Sequence, residues 1–344
     1  MTERGDRARL SAAHQSRGWV AYGLREVVVE PMLPDLMQVE TTSVCNLRCV
    51  FCPYDEMSRA KEHMDPLAFA EFLAGQAQHV RSVGLHHFGE PFLNRRLPEY
   101  IAACTRLGID TNVSTNATRM TDTQAEAVIS AGLTRLIISL DAVTAADYER
   151  VRVGGRYEQV LANIDRFLAA KRRLGGGTYV QVQFIATPEN AATWPTFEQM
   201  WGSRPGVDQV VLRDERTHAG QRVRHDEYRV RDGERLPCRY LWESLVVLVD
   251  GSVVPCCKDF DGKETLGNVF ADDRLSEIWN GTRMVELRRA HVTGNYDQLP
   301  LCASCTEWPG HAPMSPQRSR DAFAAFRAAK NASRQQPVHR RDFE

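Results

Sequence analysis

Three cysteines, Cys45, Cys49 and Cys52, stand in the run Thr41-Thr42-Ser43-Val44-Cys45-Asn46-Leu47-Arg48-Cys49-Val50-Phe51-Cys52-Pro53-Tyr54, with C-x3-C-x2-C spacing directly after an extended apolar stretch. Three thiolates on one short loop can hold three corners of an iron–sulfur cube and leave the fourth iron without a protein ligand. An iron with an open position can bind a small molecule, which a fully ligated electron-transfer cluster does not easily do. Zinc sites more often use paired C-x2-C units and four ligands, so a three-cysteine loop fits zinc poorly.

A chain of 344 residues buries a full core, and one large domain plus a small one is the natural expectation. The formal net charge of −1 points to no nucleic acid or other polyanion as partner. No run of about 18 apolar residues is present, so no membrane span is expected. The first residues, Met1-Thr2-Glu3-Arg4-Gly5-Asp6, lack the apolar core of a secretion signal. Nine cysteines in such a chain read as metal ligands rather than disulfides. The expectation is a cytoplasmic, oxygen-sensitive protein.

Six strand-like runs lie near Leu36–Thr42, Ser82–Phe88, Ile109–Ser114, Arg135–Leu140, Tyr179–Ile185 and Gln209–Leu212. Between them Pro66–Val80, Leu97–Leu107, Asp122–Ala131, Tyr157–Leu174 and Ala191–Trp201 carry helical periodicity. Asp65 and Asp122 are candidate caps, and Gly108, Gly132 and Gly175 stand where C-terminal glycines stand. The alternation predicts an α/β fold, a parallel sheet with right-handed crossovers closed into a partial (β/α)6 barrel. Sites in such barrels lie at the C-terminal ends of the strands, where the cysteine loop falls. From about Arg229 the pattern changes to a hairpin, Leu245–Val249 and Ser252–Pro255 about Asp250-Gly251, read as a type I′ turn, then one helix near Leu275–Leu287. The domains predicted are an N-terminal extension (1–35), the barrel (36–228), a small hairpin-and-helix iron–sulfur domain (229–311) and a tail (312–344), in which Phe323, Phe326 and Ala329 form a weak apolar face. Cys104 falls inside a helix and reads as core.

The cysteine loop, with Phe51 before its last cysteine, resembles that of the radical S-adenosylmethionine (SAM) superfamily. The resemblance implies that the open iron chelates SAM and that a 5′-deoxyadenosyl radical abstracts hydrogen from the substrate. It also implies an external one-electron reductant of the flavodoxin or ferredoxin type. Phe88-Gly89-Glu90-Pro91 resembles the family's GGEP-type motif, whose backbone carbonyls meet the SAM ammonium. Ser114-Thr115-Asn116 and Ser139-Leu140-Asp141 resemble positions whose hydroxyl and carboxylate groups contact the SAM ribose or carboxylate, with Ser114, Asn116, Ser139 and Asp141 as the candidates. Small polar residues at strand ends are also common helix caps. Arg152 resembles the arginine that meets the SAM carboxylate, for which a guanidinium offers parallel donors.

Cys238, Cys256, Cys257, Cys302 and Cys305 surround the hairpin and helix. Four thiolates there form a closed site for a cluster or for structural zinc. Their order resembles the Twitch or short SPASM extension of radical SAM enzymes, which implies a second [4Fe–4S] cluster on Cys238, Cys256, Cys302 and Cys305. Cys256 and Cys257 remain interchangeable in that role. The one left over, taken as Cys257, is either a small packed hydrophobe or a hydrogen-atom donor facing the substrate.

The spacing is similar to that of radical SAM dehydrogenases of aminocyclitol biosynthesis and of aminoglycoside epimerases. This implies oxidation of a secondary alcohol on a small polar substrate, a sugar or aminocyclitol, with the auxiliary cluster as electron acceptor. The alternatives are epimerisation through Cys257 and modification of a ribosomal peptide. Arg213, Asp214 and Glu215 end the sixth strand and are the candidates to bind the substrate or take its hydroxyl proton. Gln183 and the pair His86 and His87, one on each strand face, are similarly placed.

Overall fold

The computed structural model describes residues 33–34, 36–222, 237–271, 274–305 and 307. The extension before residue 33, the predicted boundary near 228 and the tail with Phe323, Phe326 and Ala329 lie outside these residues.

The strands are β1 (Leu36–Val39), β2 (Arg48–Cys49), β3 (Ser82–Gly84), β4 (Asp110–Thr115), β5 (Arg135–Ser139), β6 (Arg152–Val153), β7 (Tyr179–Ala186), β8 (Gln209–Asp214), β9 (Ser244–Val247), β10 (Ser252–Val254) and β11 (Gly267–Asn268). β1, β3, β4, β5, β7 and β8 pair in parallel in that order. Helices Pro66–Gln76, Leu97–Arg106, Asp122–Ser130, Tyr157–Arg173 and Trp194–Gly202 carry the crossovers. This is the partial α/β barrel of six units.

The core lies between sheet and helices, with Val83, Val113, Leu136 and Val182 from strands against Phe69, Ile101, Ile164 and Trp201 from helices. Cys104 is fully buried there. Each fully buried side chain of this kind contributes roughly 1.5–3 kcal/mol. Asp65 caps its helix by accepting from the Leu67 amide, as predicted. Thr121, not Asp122, caps the helix Asp122–Ser130, because its hydroxyl reaches the Gln124 amide.

β9 runs parallel to β1, with Leu36 opposite Ser244 and Val39 opposite Val247. β10 and β11 then add antiparallel strands, so the hairpin extends the barrel sheet at its first edge. The hairpin turn differs from the type I′ expectation. Gly251 has φ +85° but Asp250 is not in the positive-φ region that type I′ requires. The Leu248 carbonyl accepts from the Gly251 amide and the Leu248 amide donates to Ser252 O. That is a three-residue loop ending in a left-handed glycine. The predicted single helix is also two, Leu275–Trp279 and Thr282–Thr293, broken at Asn280-Gly281, where Gly281 takes an extended N-cap conformation.

One buried ion pair ties the sheet to both loops that carry cysteines. Glu40, just after β1, accepts from Arg59 Nη1 at 2.8 Å and Nη2 at 2.9 Å, and from the Val249 amide at 3.2 Å. Arg59 Nε donates to the Phe260 carbonyl at 2.8 Å.

Candidate functional site

The loop Cys45–Cys52 leaves β1 across a bed of buried hydroxyls. Ser43 Oγ donates to Ala60 O at 2.8 Å and Thr42 Oγ1 to Glu62 O at 3.2 Å. The Cys45 amide donates to the Tyr54 hydroxyl, and the Cys52 amide closes a turn on Cys49 O. β2 pairs with β6, placing Cys49 opposite Arg152. The loop is thereby pinned from two sides while its thiols face a cavity of about 560 Å³ at the C-terminal ends of the barrel strands.

Cys45, Cys49 and Cys52 all line this cavity. Burial pushes Cys45 up to about 11, Cys52 up to about 12, and Cys49 upward as well. Three buried thiols that repel one another as thiolates need a cationic partner to ionise, which is what an iron cluster supplies. Among the described residues no three His, Cys, Asp or Glu side chains close on a single-ion site; the corners of a cube stand farther apart than the ligands of one ion.

The motif Phe88-Gly89-Glu90-Pro91 follows β3 and lies directly on the cysteine loop. The Glu90 amide donates to Val44 O at 2.8 Å. A Cβ on Gly89 would stand 2.0 Å from Thr42 O, so only glycine permits this approach. The fully buried Glu90 carboxylate accepts from the Phe92 amide at 3.0 Å, the Asn116 amide at 2.7 Å and Thr115 Oγ1 at 2.6 Å. It therefore staples the end of β4 to the motif, and burial raises its pKa. Pro91 is buried at the start of a short 3-10 turn, outside the cavity lining.

Phe88, Gly89, Glu90, Ser114, Asn116, Ser139 and Arg152 line the same cavity as the three cysteines. Asn116 Oδ1 accepts from the Thr118 amide and hydroxyl, and its Nδ2 donates to Asn46 Oδ1 at 3.3 Å. Asp141 is fully buried behind the wall and is bound by Arg152. Arg213, Asp214, Gln183, His86 and His87 also line the cavity, whereas Glu215 and Cys257 do not. His86 and His87 were expected on opposite faces of a strand, but β3 ends at Gly84 and the alternation stops with it. Burial holds His86 at about 4 and His87 at about 3, so both rings are neutral at pH 7.

Five further lining residues carried no signal in the sequence, Tyr240 among them, two positions after Cys238. Arg216 and His218 follow β8, Lys258 follows Cys257, and Glu307 comes two positions after Cys305. Lys258 Nζ lies 3.4 Å from Glu307 Oε2. His218 and Ala219 both adopt positive φ, +50° and +62°. Such strain in consecutive non-glycine residues typically costs about 1–3 kcal/mol each and clusters at functional sites. His218 Nε2 donates to the carbonyl of Phe51 at 3.2 Å, tying this segment to the cysteine loop.

The second thiol set lies behind the hairpin. The Cys238 thiol is pushed up by burial and by the nearby Cys302, Cys305 and Cys257. Its amide donates to His291 Nδ1 at 3.0 Å. Cys256 and Cys257 hydrogen-bond to each other, which holds Cys257 below and Cys256 above the ordinary thiol range. The Cys256 sulfur also accepts from the Lys258 amide at 3.3 Å. Cys257 packs against Val246, Leu248 and Val254 of the hairpin.

A barrel that turns three thiols into an open polar cavity, followed by a segment that gathers a second thiol set, defines an iron–sulfur protein with one substitutable cluster. Residues 39–182 match the radical SAM superfamily, and residues 238–306 match SPASM, an iron–sulfur cluster-binding domain. The chain is a radical SAM protein with a C-terminal SPASM domain, and its cofactors are SAM and two [4Fe–4S] clusters.

It is 31% identical over 140 residues to a GTP 3′,8-cyclase of Chlorobaculum tepidum, a match spanning 39% of this chain and only 41% of that protein. It is 21% identical over 276 residues to the S-adenosyl-L-methionine-dependent 2-deoxy-scyllo-inosamine dehydrogenase of Niallia circulans, across 78% of this chain and 92% of that one. Streptococcus suis SuiB bound to its precursor peptide SuiA shares the fold, with TM-score 0.61 at 15% identity, over 75% of this chain and 67% of that one. Among the described residues no helix is long and apolar enough to cross a membrane.

Proposed function

We propose that the chain oxidises a secondary alcohol of a sugar or aminocyclitol to a ketone, in the cytoplasm, with a flavodoxin- or ferredoxin-type reductant. The bound cofactors supply a hydrogen-atom acceptor and a one-electron sink. Phe88-Gly89, Ser114, Asn116 and Ser139 hold SAM beside the thiols of Cys45, Cys49 and Cys52. Cys238, Cys302, Cys305 and one of the pair Cys256 and Cys257 hold the auxiliary cluster. Asp214 takes the substrate hydroxyl proton at its carboxylate, and Arg213, Gln183 and Arg216 bind polar substituents.

The observation that carries this reading is the composition of the substrate side. Beyond the SAM contacts the cavity wall carries the charged or amide groups of Gln183, Arg213, Asp214, Arg216, Lys258 and Glu307 beside Ile185, Tyr240 and three histidines, and Cys257 is not part of it. The likeness across 92% of an aminocyclitol dehydrogenase supports the same substrate class.

The test is anaerobic turnover in D2O with SAM, reductant and a panel of aminoglycoside precursors, read by product mass. A substrate-dependent loss of two mass units is expected, and Cys257→Ala should retain it in preparations whose iron content shows both clusters intact. A gain of one unit that disappears in Cys257→Ala would make the chain an epimerase. Turnover of a precursor peptide and of no panel member would move the substrate to the peptide class.

A further inference from the structure

The resemblance assigned Arg152 to the SAM carboxylate and Asp141 to the SAM ribose or carboxylate, but the structure engages both elsewhere. Asp141 is fully buried and adopts φ +66°, a left-handed conformation that aspartate tolerates better than most L residues. Its Oδ1 accepts from the Ile185 amide at 2.7 Å, and its main-chain oxygen accepts from Asn190 Nδ2 at 3.0 Å. Its Oδ2 accepts from Arg152 Nε at 2.7 Å and also from Arg152 Nη2. The carboxylate is thus held by the Ile185 amide and by Arg152, the backbone beside it by Asn190, and it fixes the guanidinium in turn.

The remaining guanidinium nitrogen, Nη1, lies 3.4 Å from the Cys49 sulfur. This contact is set by backbone register, since Cys49 and Arg152 are direct partners in the β2–β6 ladder. The guanidinium also lies over the Phe51 ring, 5.0 Å from its centroid. All three nitrogens of Arg152 are therefore engaged before any ligand arrives.

We infer that Arg152 is a positioning residue for the open-site cluster: it donates an N–H···S bond to the ligand sulfur of Cys49 and raises the cluster's reduction potential, with Asp141 as the strut that aims it. Reduction adds negative charge to a cluster, and a charge-assisted donor on a ligand sulfur stabilises that charge. The effect is strong here because the pair is buried, with side-chain exposures of 8% and 0%. Asp141 moderates it, since its own negative charge opposes reduction. The inference does not depend on the substrate or on the fate of the substrate radical.

The experiment is an EPR-monitored redox titration of the reconstituted chain without SAM, with the auxiliary cluster as internal reference, followed by SAM titration of the same samples. Arg152→Gln is expected to make reduction of the open-site cluster at least tenfold less favourable, about 59 mV for one electron, with the auxiliary cluster unmoved. SAM affinity should change less than tenfold in Arg152→Gln. Unchanged potentials would overturn the inference, and a larger loss of SAM affinity beside them would return Arg152 to the SAM carboxylate. If Arg152→Gln fails to assemble the cluster, Arg152→Lys decides, since it keeps the positive charge but loses the guanidinium fork that spans Asp141 and Cys49; an unmoved potential there overturns the proposal.

Discussion

Gly89→Ala is expected to lower the rate of SAM cleavage by about two orders of magnitude, because a misplacement of about 1 Å at a reacting centre costs about that much. The added Cβ would lie 2.0 Å from Thr42 O, 2.7 Å from Thr42 C and 3.0 Å from Val44 O. All three are backbone atoms, and none sits on a free loop. The Thr42 hydroxyl is bound to Glu62 O, and Val44 O accepts the Glu90 amide. Relief must move either the start of the cysteine loop or the Phe88–Glu90 segment. The first displaces Cys45, and the second breaks the bonds by which Glu90 holds Thr115 and Asn116. The overpacking itself costs about 1–3 kcal/mol or more.

The measurements are the rate of 5′-deoxyadenosine formation and the thermal midpoint. Gly75→Ala is the control, since nothing lies within 4 Å of its added Cβ and alanine is the better helix former. A Gly89→Ala enzyme with parental rate and midpoint would show that the motif tolerates a side chain and that its glycine is incidental.

The parts of this molecule written in local spacing were legible, and the parts made by distant partners were not. C-x3-C-x2-C is a local pattern, and the loop emerges from β1 as the alternation predicts. The six strands and five crossover helices follow from periodicity in the same way. Arg152 shows the limit. Its sequence position after a helix is compatible with a role on SAM, yet Asp141, eleven residues earlier, already binds two of its nitrogens. Lys258 and Glu307 could not be read at all, because the cavity wall is completed by segments that follow the barrel and return to it through β9. Gly251 marked the turn correctly, but the turn type depended on the φ of Asp250, which either hairpin geometry accommodates. Gly281 broke the predicted helix because a glycine after Asn280 can start a helix as well as continue one.

Arg59→Met is expected to destabilise the fold by roughly 3–5 kcal/mol, the range for removing one partner of a buried ion pair. Glu40 is completely buried and Arg59 nearly so, with side-chain exposures of 0% and 12%. Methionine fills much of the volume but leaves the carboxylate, among the described residues, with only the Val249 amide as donor at 3.2 Å. The double variant Glu40→Leu with Arg59→Met should lose less than the single one, since no uncompensated charge remains. It still forfeits the acceptor of Val249 and the Arg59 bond to Phe260 O, so it should not recover the parent's stability. The position of the pair also predicts how unfolding proceeds. Arg59 and Ser58 bind Phe260 and Asp261, on the loop just after Cys256 and Cys257, while Ser43 and Thr42 bind the segment that carries Glu62. Both cluster-bearing loops therefore hang on one strut at the end of β1. In guanidinium unfolding of the holoprotein, tryptophan fluorescence and cluster absorbance should report one transition, shifted together to lower denaturant in Arg59→Met. Loss of the auxiliary cluster at much lower denaturant than the barrel transition, already in the parent chain, would show that the hairpin segment is held by other contacts and that the Glu40–Arg59 pair is local to the barrel.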